Sequence, residues 1–171
     1  MKKIILILSV VCSFTLNAQS KIAHVDSQRL LDSLPSYNKA EKELQKFQED
    51  GLNDLAALEK QLNEAYAKLD AVKGDLTPTM LKIEQEKVMA LDQRYQQTQN
   101  MLKQQLQALQ GDYMQPILNR LQTAIETVAV RRKIDYVLYV TNLLYSKTGV
   151  DITGEVKIEL SKLDAEAMKK Q

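Results

Sequence analysis

The feature that most constrains this chain is a long central stretch, from about residue 38 to 110, in which apolar residues recur at spacings of three and four. Most other positions there are Leu, Ala, Lys, Glu or Gln, which favour helix. The periodic positions form a narrow stripe typical of a coiled-coil seam. In the first half the stripe comprises Leu44, Phe47, Gly51, Leu55, Leu58, Leu62, Tyr66, Leu69, Val72 and Leu76. In the second half it comprises Val88, Leu91, Tyr95, Thr98, Leu102, Gln105 and Leu109.

A turn signal at residues 74–78 divides this stretch into two antiparallel helices. Gly74 can end a helix in the left-handed conformation, Thr77 can cap the next helix, and Pro78 suits its first position. Each helix would have about 35 residues and be roughly 50 Å long, so we expect the pair to project as an arm. We interpret Gly51 as a tolerated helix glycine that costs about 1 kcal/mol against Ala. The alternative is a bend that lets the arm flex.

The two ends of the chain predict a small mixed body. A first strand covers residues 21–25, and a short helix over residues 27–34 stops at Pro35. Pro116 either interrupts the return helix or starts a new one, which ends at the basic run of residues 131–133. The β-branched and aromatic run of residues 134–140 is the strongest strand signal. A further strand is expected at residues 143–145, followed by a last helix capped by Thr153.

The predicted fold class is therefore α+β and predominantly α, with an antiparallel coiled-coil hairpin that projects from a small β-containing body. The expected arm is residues 38–113, and the body is residues 19–37 with 114–171. Because a core of under about 70 residues is marginal alone, and because the sheet has open edges, we predict an obligate homo-oligomer. The candidate residues of this oligomerisation body are Ile22, Val25, Ile134, Tyr136, Leu138, Val140 and Ile152.

The N-terminus resembles a cleavable secretory signal. Lys2 and Lys3 precede an apolar run at residues 4–11, and Ala18 offers a small residue before the cut. We therefore predict that residues 1–18 are removed and that the mature protein is exported. The one cysteine of the chain, Cys12, would leave with them. The formal charge would change from +1 to +1 − 2 = −1, because two lysines are lost.

The residue types needed for most catalytic and cofactor chemistry are missing. His24 is the one histidine, so we expect no soft metal site and no metal-dependent chemistry in the mature chain. The five glycines are too far apart for a phosphate-binding loop, so no cofactor is predicted. The balanced charge of 23 basic and 22 acidic residues disfavours nucleic-acid binding. We predict that the protein is not an enzyme and acts by binding alone.

The arm carries side chains that suit weak contact with varied apolar partners. Met is flexible and polarizable, and Tyr adds amphipathic area. Each of these residues could instead fill a gap in the hairpin seam. The contact candidates are Tyr66, Met80, Met89, Tyr95 and Met101.

Short motifs in a fixed order resemble the Skp (OmpH-like) periplasmic chaperone family. They begin with the opening strand and turn at residues 21–27, and continue with a Pro-Ile pair ahead of an Ala-Ile-x-x-Val-Ala helix. An apolar strand at residues 136–138 and a closing Asp-Ile-Thr-x-x-Val-x-x-x-Leu pattern from Asp151 follow. The middle motif corresponds to Pro116-Ile117, Ala124-Ile125 and Val128-Ala129, and the last ends with Val156 and Leu160. With the long helices, the resemblance covers nearly the whole mature chain.

The resemblance implies a homotrimer whose three hairpins surround a cavity. It also implies a periplasmic, ATP-independent holdase for unfolded outer-membrane β-barrel proteins, with no stable membrane insertion of the mature chain. Well-known members are strongly basic, whereas this mature chain is near neutral. The alternative hypothesis is an exported coiled-coil spacer or adaptor of the cell envelope, which would need rigid arms and one defined contact at the tip.

Overall fold

The computed structural model describes residues 20–145 and 149–169, so the predicted signal segment and Cys12 lie outside the described residues. The fold is α+β and mostly helical, as predicted. A 3-10 turn at Val140–Asn142 follows the second strand. The other elements, in chain order, are β1 (Ile22–Val25), α1 (Ser27–Asp32), α2 (Pro35–Val72), α3 (Pro78–Arg132), β2 (Tyr136–Tyr139), β3 (Val150–Asp151) and α4 (Thr153–Met168).

The described residues divide into two compact units. The first unit contains the residues up to Ser36 together with those from Ile117 onward, and it holds the sheet. The second unit, Tyr37–Pro116, holds most of α2 and the larger part of α3.

The sheet of the first unit is parallel, with β1 between β2 and β3. Its register pairs Ile22 with Tyr136 and His24 with both Leu138 and Asp151. The strand predicted at residues 143–145 is wrong, because these residues follow the 3-10 turn without strand structure, and the third strand of the sheet is β3. β3 is held by its pairing with β1, and the Ile152 N–H extends the ladder with a hydrogen bond to the His24 carbonyl at 3.1 Å.

The core of the first unit lies between one face of the sheet and the helices. Ala23 and Val25 point to the same face because side chains alternate along a strand, and both are fully buried. The helices bury residues at spacings of three and four, which is the pattern of one helix face. The buried helical residues are Leu30, Ile117, Leu121, Ala124, Val128, Val156 and Leu160.

Two chain turns in this unit have well-defined hydrogen bonds. Lys133 has a φ of 55°, and its N–H and that of Ile134 donate to the carbonyls of Val130 and Ala129. This is a Schellman motif, and it ends α3 where the basic run predicted. Thr153 was predicted to cap α4 but is its first residue instead, because the Asp151 carboxylate accepts the Thr153 N–H at 2.8 Å.

A buried polar network ties the start of α2 to α3 and α4. Asp164 is almost fully buried, and it accepts hydrogen bonds from the Ser36 hydroxyl, the Ser36 N–H and Arg120 Nη2. The carboxylate thus satisfies the Ser36 N–H, one of the N–H groups that the first turn of α2 leaves without a partner in the helix. α2 begins at Pro35 and not near residue 38 as predicted, since proline also suits the first position of a helix.

The second unit is an antiparallel helix pair with a regular seam. Gly51 on α2 faces Leu102 on α3. Farther along the pair, the pKa of the Glu84 carboxyl is lowered mainly by the hydrogen bond from Lys87 on the same helix. A smaller part of this shift comes from the positive charge of Lys68 on α2, which lies close to Glu84. Leu55, Leu58, Leu62 and Val88 are buried in the seam, as predicted. Two seam positions were predicted wrongly. The predicted residues Tyr66 and Gln105 are exposed. Their neighbours Ala65 and Leu106 are half-buried in the seam instead.

The turn between α2 and α3 differs from the prediction in one detail. Thr77 caps α3, because its hydroxyl accepts the Met80 N–H at 3.4 Å and Pro78 is the first helical residue, as predicted. Gly74 does not adopt a positive φ, nor does any other glycine of the described residues. Pro116 lies inside α3, which continues through it to Arg132, so the predicted interruption is wrong.

Candidate functional site

Exposed apolar side chains on the helix pair are the first candidate contact surface. Four of the five contact candidates are at least half exposed: Tyr66 (50%), Met80 (53%), Met89 (69%) and Met101 (51%). Tyr95 differs, because it is half-buried at a seam position. The first four side chains therefore present apolar surface to solvent, and Tyr95 contributes to the packing of the seam.

Tyr66 lines two cavities on the helix pair, and it shares one of them with Met89. The first cavity has a volume of about 700 Å³ and is lined on its apolar side by Tyr66, Leu69 and Leu81. The second has a volume of about 430 Å³ and is lined on its apolar side by Tyr66, Met89 and Ala90. We call the two cavities together the Tyr66 groove. Met80 and Met101 do not line it.

Leu81 is a groove residue that the sequence analysis missed. The predicted stripe of the return helix begins at Val88, yet Leu81 lies seven residues earlier and is half-buried. The same heptad spacing would have found it, since seven residues return to the same side of a coiled-coil helix.

The charges along the groove differ from one end to the other. In the first cavity Asp70 is paired with Lys73, and the hydrogen bond from Lys73 lowers the pKa of the Asp70 carboxyl. In the second cavity Glu86 lies 4.0 Å from Lys82, with both side chains mostly exposed. Asp92 lines the same cavity and has no cation within ion-pair distance in the part of the chain that the structure describes. The Met89 end is therefore acidic, and the Leu81 end carries a balanced pair.

The outer face of the sheet is the second candidate surface. In the parallel register, Ile22 lies beside Tyr136 and His24 beside Leu138, so these four side chains share the face opposite Ala23 and Val25. Ile22, Tyr136 and Leu138 are 47%, 61% and 41% exposed. The buried Nδ1 atom of His24 has no hydrogen-bond partner among the described residues. We call these four residues the outer sheet face.

The remaining body candidates have other positions. Val140 is exposed in the 3-10 turn beside β2, and Ile134 is half-buried just before that strand. Val25 and Ile152 are fully buried within one chain. These two residues therefore stabilise the core of the unit from inside and offer no surface to another molecule.

The described residues offer neither a metal-binding cluster nor a helix that could span a membrane. Within residues 20–145 and 149–169, no group of three or more His, Cys, Asp or Glu side chains is placed to hold a metal ion. Over the same ranges, no helix combines the length and apolar character needed to cross a membrane.

Comparison with known proteins identifies the family. The family model described as outer membrane protein (OmpH-like) matches residues 21–160. A solved structure of a candidate outer membrane chaperone (OmpH-like) from Caulobacter crescentus CB15 is similar to this chain, with a TM-score of 0.69 and 18% sequence identity over 85% of this chain and 86% of that chain. No curated protein sequence matches. Since the family model spans most of the sequence, the chain belongs to the OmpH-like outer membrane protein family.

Proposed function

We propose that this protein is a periplasmic, ATP-independent holdase that binds unfolded outer-membrane β-barrel proteins and prevents their aggregation. Membership of the OmpH-like family over residues 21–160 is the observation that carries the proposal. The Caulobacter protein of similar fold is itself a candidate outer membrane chaperone. Export by a signal at residues 1–18 would place the mature chain, residues 19–171, in the compartment that such clients cross.

The exposed side chains of the helix pair support a binding mechanism without chemistry. An unfolded barrel protein exposes scattered apolar side chains, because its strands alternate apolar and polar residues. Tyr66 and Met89 together offer one small apolar contact, Met80 and Met101 offer others, and Tyr95 lies at the edge of the seam. Weak contacts from several arms add up through a high effective concentration. Each contact breaks quickly, so the client is released without ATP, and the protein acts as a binder and not as an enzyme.

The outer sheet face supports the proposed homotrimer. Ile22, Tyr136 and Leu138 expose apolar area that a second copy would cover. In this arrangement residues 19–37 and 114–171 form the trimeric body, and residues 38–113 form the arms around a cavity. Three copies, rather than two, follow from the resemblance to the Skp proteins.

Suppression of aggregation tests this function directly. A urea-unfolded outer-membrane β-barrel protein is diluted into buffer with the mature protein, without ATP, and light scattering is recorded. We expect scattering to be suppressed when about one trimer is present per client chain. Failure by a protein that is folded and trimeric would rule out the holdase function.

The second candidate function, a spacer or adaptor of the envelope, is distinguished by partner choice. The regular seam around Gly51 and Leu102 favours rigid arms, which a spacer would need. A holdase binds several different barrel proteins when they are unfolded and none of them when they are folded. A spacer binds one folded envelope protein. Binding measured against a panel of matched folded and unfolded proteins separates the two.

A further inference from the structure

Two apolar residues that line the Tyr66 groove are spaced along α3 like side chains of a short extended peptide. Leu81 and Met89, which lie in its two cavities, are eight residues apart on α3 and therefore about 12 Å apart along the helix axis. In an extended chain, side chains four residues apart point to the same side and are about 13 Å apart. Two apolar side chains at that spacing would reach the two cavities together, with Tyr66 between them.

The composition of the walls also fits a particular kind of segment. Leu69 and Leu81 make the first cavity apolar, and its charged pair, Asp70 and Lys73, is already neutralised. In the second cavity Glu86 and Asp92 flank Met89, and the nearest cation to Glu86 is at the edge of ion-pair distance. A ligand with an apolar side chain and a neighbouring cation would satisfy both the methionine and the carboxylates.

We propose that the Tyr66 groove binds an extended, unfolded segment in which apolar residues alternate with polar ones and a Lys or Arg adjoins one of the apolar residues. The apolar side chains pack against Leu81, Tyr66 and Met89. The cation pairs with Glu86 and Asp92. This inference rests on the proposed holdase function and adds to it a client site and a charge preference. It also distinguishes this near-neutral chain from a chaperone that attracts acidic clients.

Fluorescence anisotropy with two labelled peptides tests the site. Both peptides have nine residues and the same alternating apolar pattern, and they differ only in carrying Lys or Glu beside the central apolar residue. We expect the mature protein to bind the Lys peptide about tenfold more tightly than the Glu peptide, and the difference to shrink at high salt, since salt screens exposed charges. Equal binding of the two peptides would overturn the proposed preference.

Variants locate the binding. Tyr66→Ala should weaken binding of the Lys peptide about tenfold, because an aromatic side chain supplies much of the apolar contact area. Glu86→Gln with Asp92→Asn should abolish the preference for Lys while leaving binding of the Glu peptide no weaker. Leu52→Ser is the matched control, since Leu52 lies on the same helix as Tyr66, is 53% exposed and lines neither cavity. If Leu52→Ser weakens binding as much as Tyr66→Ala, the groove is not the site.

Two further readouts keep the outcomes distinct. Circular dichroism and the thermal midpoint verify that each variant is folded, and the native mass verifies that Tyr66→Ala has not altered assembly. A change of mass in this variant would mean that a second copy occupies the groove and would overturn the proposal.

Light scattering with an unfolded barrel protein distinguishes failure of the groove proposal from failure of the holdase function. If the wild type suppresses aggregation and Tyr66→Ala does so equally, the groove proposal fails and the holdase function stands. If the wild type does not suppress aggregation, the function itself fails.

Discussion

Gly51 lies directly against Leu102 across the two long helices. A Cβ atom at position 51 would overlap Leu102 Cδ1 and would lie 3.1 Å from Leu102 Cγ, which is inside van der Waals contact. The glycine therefore lets a leucine of the opposite helix pack close to the α2 backbone. This finding replaces both sequence interpretations of Gly51, as a tolerated residue and as a bend, with a packing reason.

We predict that Gly51→Ala and Gly111→Ala change stability differently. Alanine is the better helix former by about 1 kcal/mol, so Gly111→Ala, at an open position inside α3, should raise the free energy of unfolding. Gly51→Ala should lose that benefit, because overpacking costs about 1–3 kcal/mol. Urea unfolding of the two variants measures the difference. A stabilising effect of equal size at both positions would contradict the packing account.

The same contact predicts a change of sign in a Leu102→Ala background. Once the leucine is shortened, the added methyl group of Gly51→Ala meets open space and should stabilise the helix pair. Double-mutant analysis of thermal unfolding measures this coupling. Additive effects of the two substitutions would show that Gly51 and Leu102 are independent.

Asp164→Ala should be among the most destabilising single changes in the first unit. The Asp164 carboxylate is nearly fully buried and pairs with Arg120, and the Nε atom of Arg120 has no partner within the described residues. Loss of the carboxylate therefore leaves the mostly buried cation of Arg120 uncompensated. Breaking such a pair costs about 3–5 kcal/mol. Urea unfolding measures the effect.

The control for Asp164→Ala is the partly exposed ion pair of Arg131 and Glu159. Glu159→Ala should cost no more than about 1 kcal/mol. Combining Arg120→Met with Asp164→Leu should recover much of the stability lost in Asp164→Ala. Similar losses in Glu159→Ala and Asp164→Ala would contradict the importance of the buried network.

The Asp151 carboxylate should contribute to the free energy of unfolding in a way that is lost in acid. Hydrogen bonds from Thr153 lower the pKa of the Asp151 carboxyl below its ordinary value of 3.8 in the folded state. The unfolded chain therefore takes up the proton first, so this contribution is fully present above about pH 4 and is lost as the pH falls through the folded-state pKa. Asp151→Asn should lower the thermal midpoint at pH 6 and flatten its decline below pH 4. An unchanged decline in the variant would exclude this role.

The outer sheet face predicts where a single charge disrupts assembly. Leu138→Lys or Tyr136→Lys would place an ammonium group in the proposed contact between copies, where desolvation of an unpaired charge is costly. We expect the native mass measured by light scattering to fall to that of one copy. Ile158→Lys, at a residue that is 75% exposed on α4, should leave the mass unchanged. Loss of assembly with Ile158→Lys alone would place the contact elsewhere.

Local patterns in the sequence predicted the elements whose causes are local. The spacing of three and four identified Leu55, Leu58, Leu62 and Val88 as seam residues, and Thr77 with Pro78 identified the start of α3. After Leu102, however, steps of three and of four both fit the pattern. The choice of Leu106 over Gln105 depends on the opposite helix, which the sequence of one helix does not contain.

Features that depend on distant partners were missed. The short strand β3 exists because β1 offers it hydrogen bonds. The residue types of Val150 and Asp151 do not by themselves indicate a strand more strongly than the apolar run at residues 143–145 does. Ser36, Arg120 and Asp164 form one network although 84 and 44 residues separate them along the chain. Tyr66 and Met89 were chosen from the sequence for side-chain type, and no groove was predicted, because their common cavity depends on how α2 and α3 are aligned.

The most direct test of the account is the mass of the mature protein alone and with one unfolded barrel protein, measured by light scattering on a sizing column. We predict three copies alone, and three copies with one client chain in the mixture. A stable single-copy species that elutes alone while the client precipitates would contradict both the assembly and the function proposed for this protein.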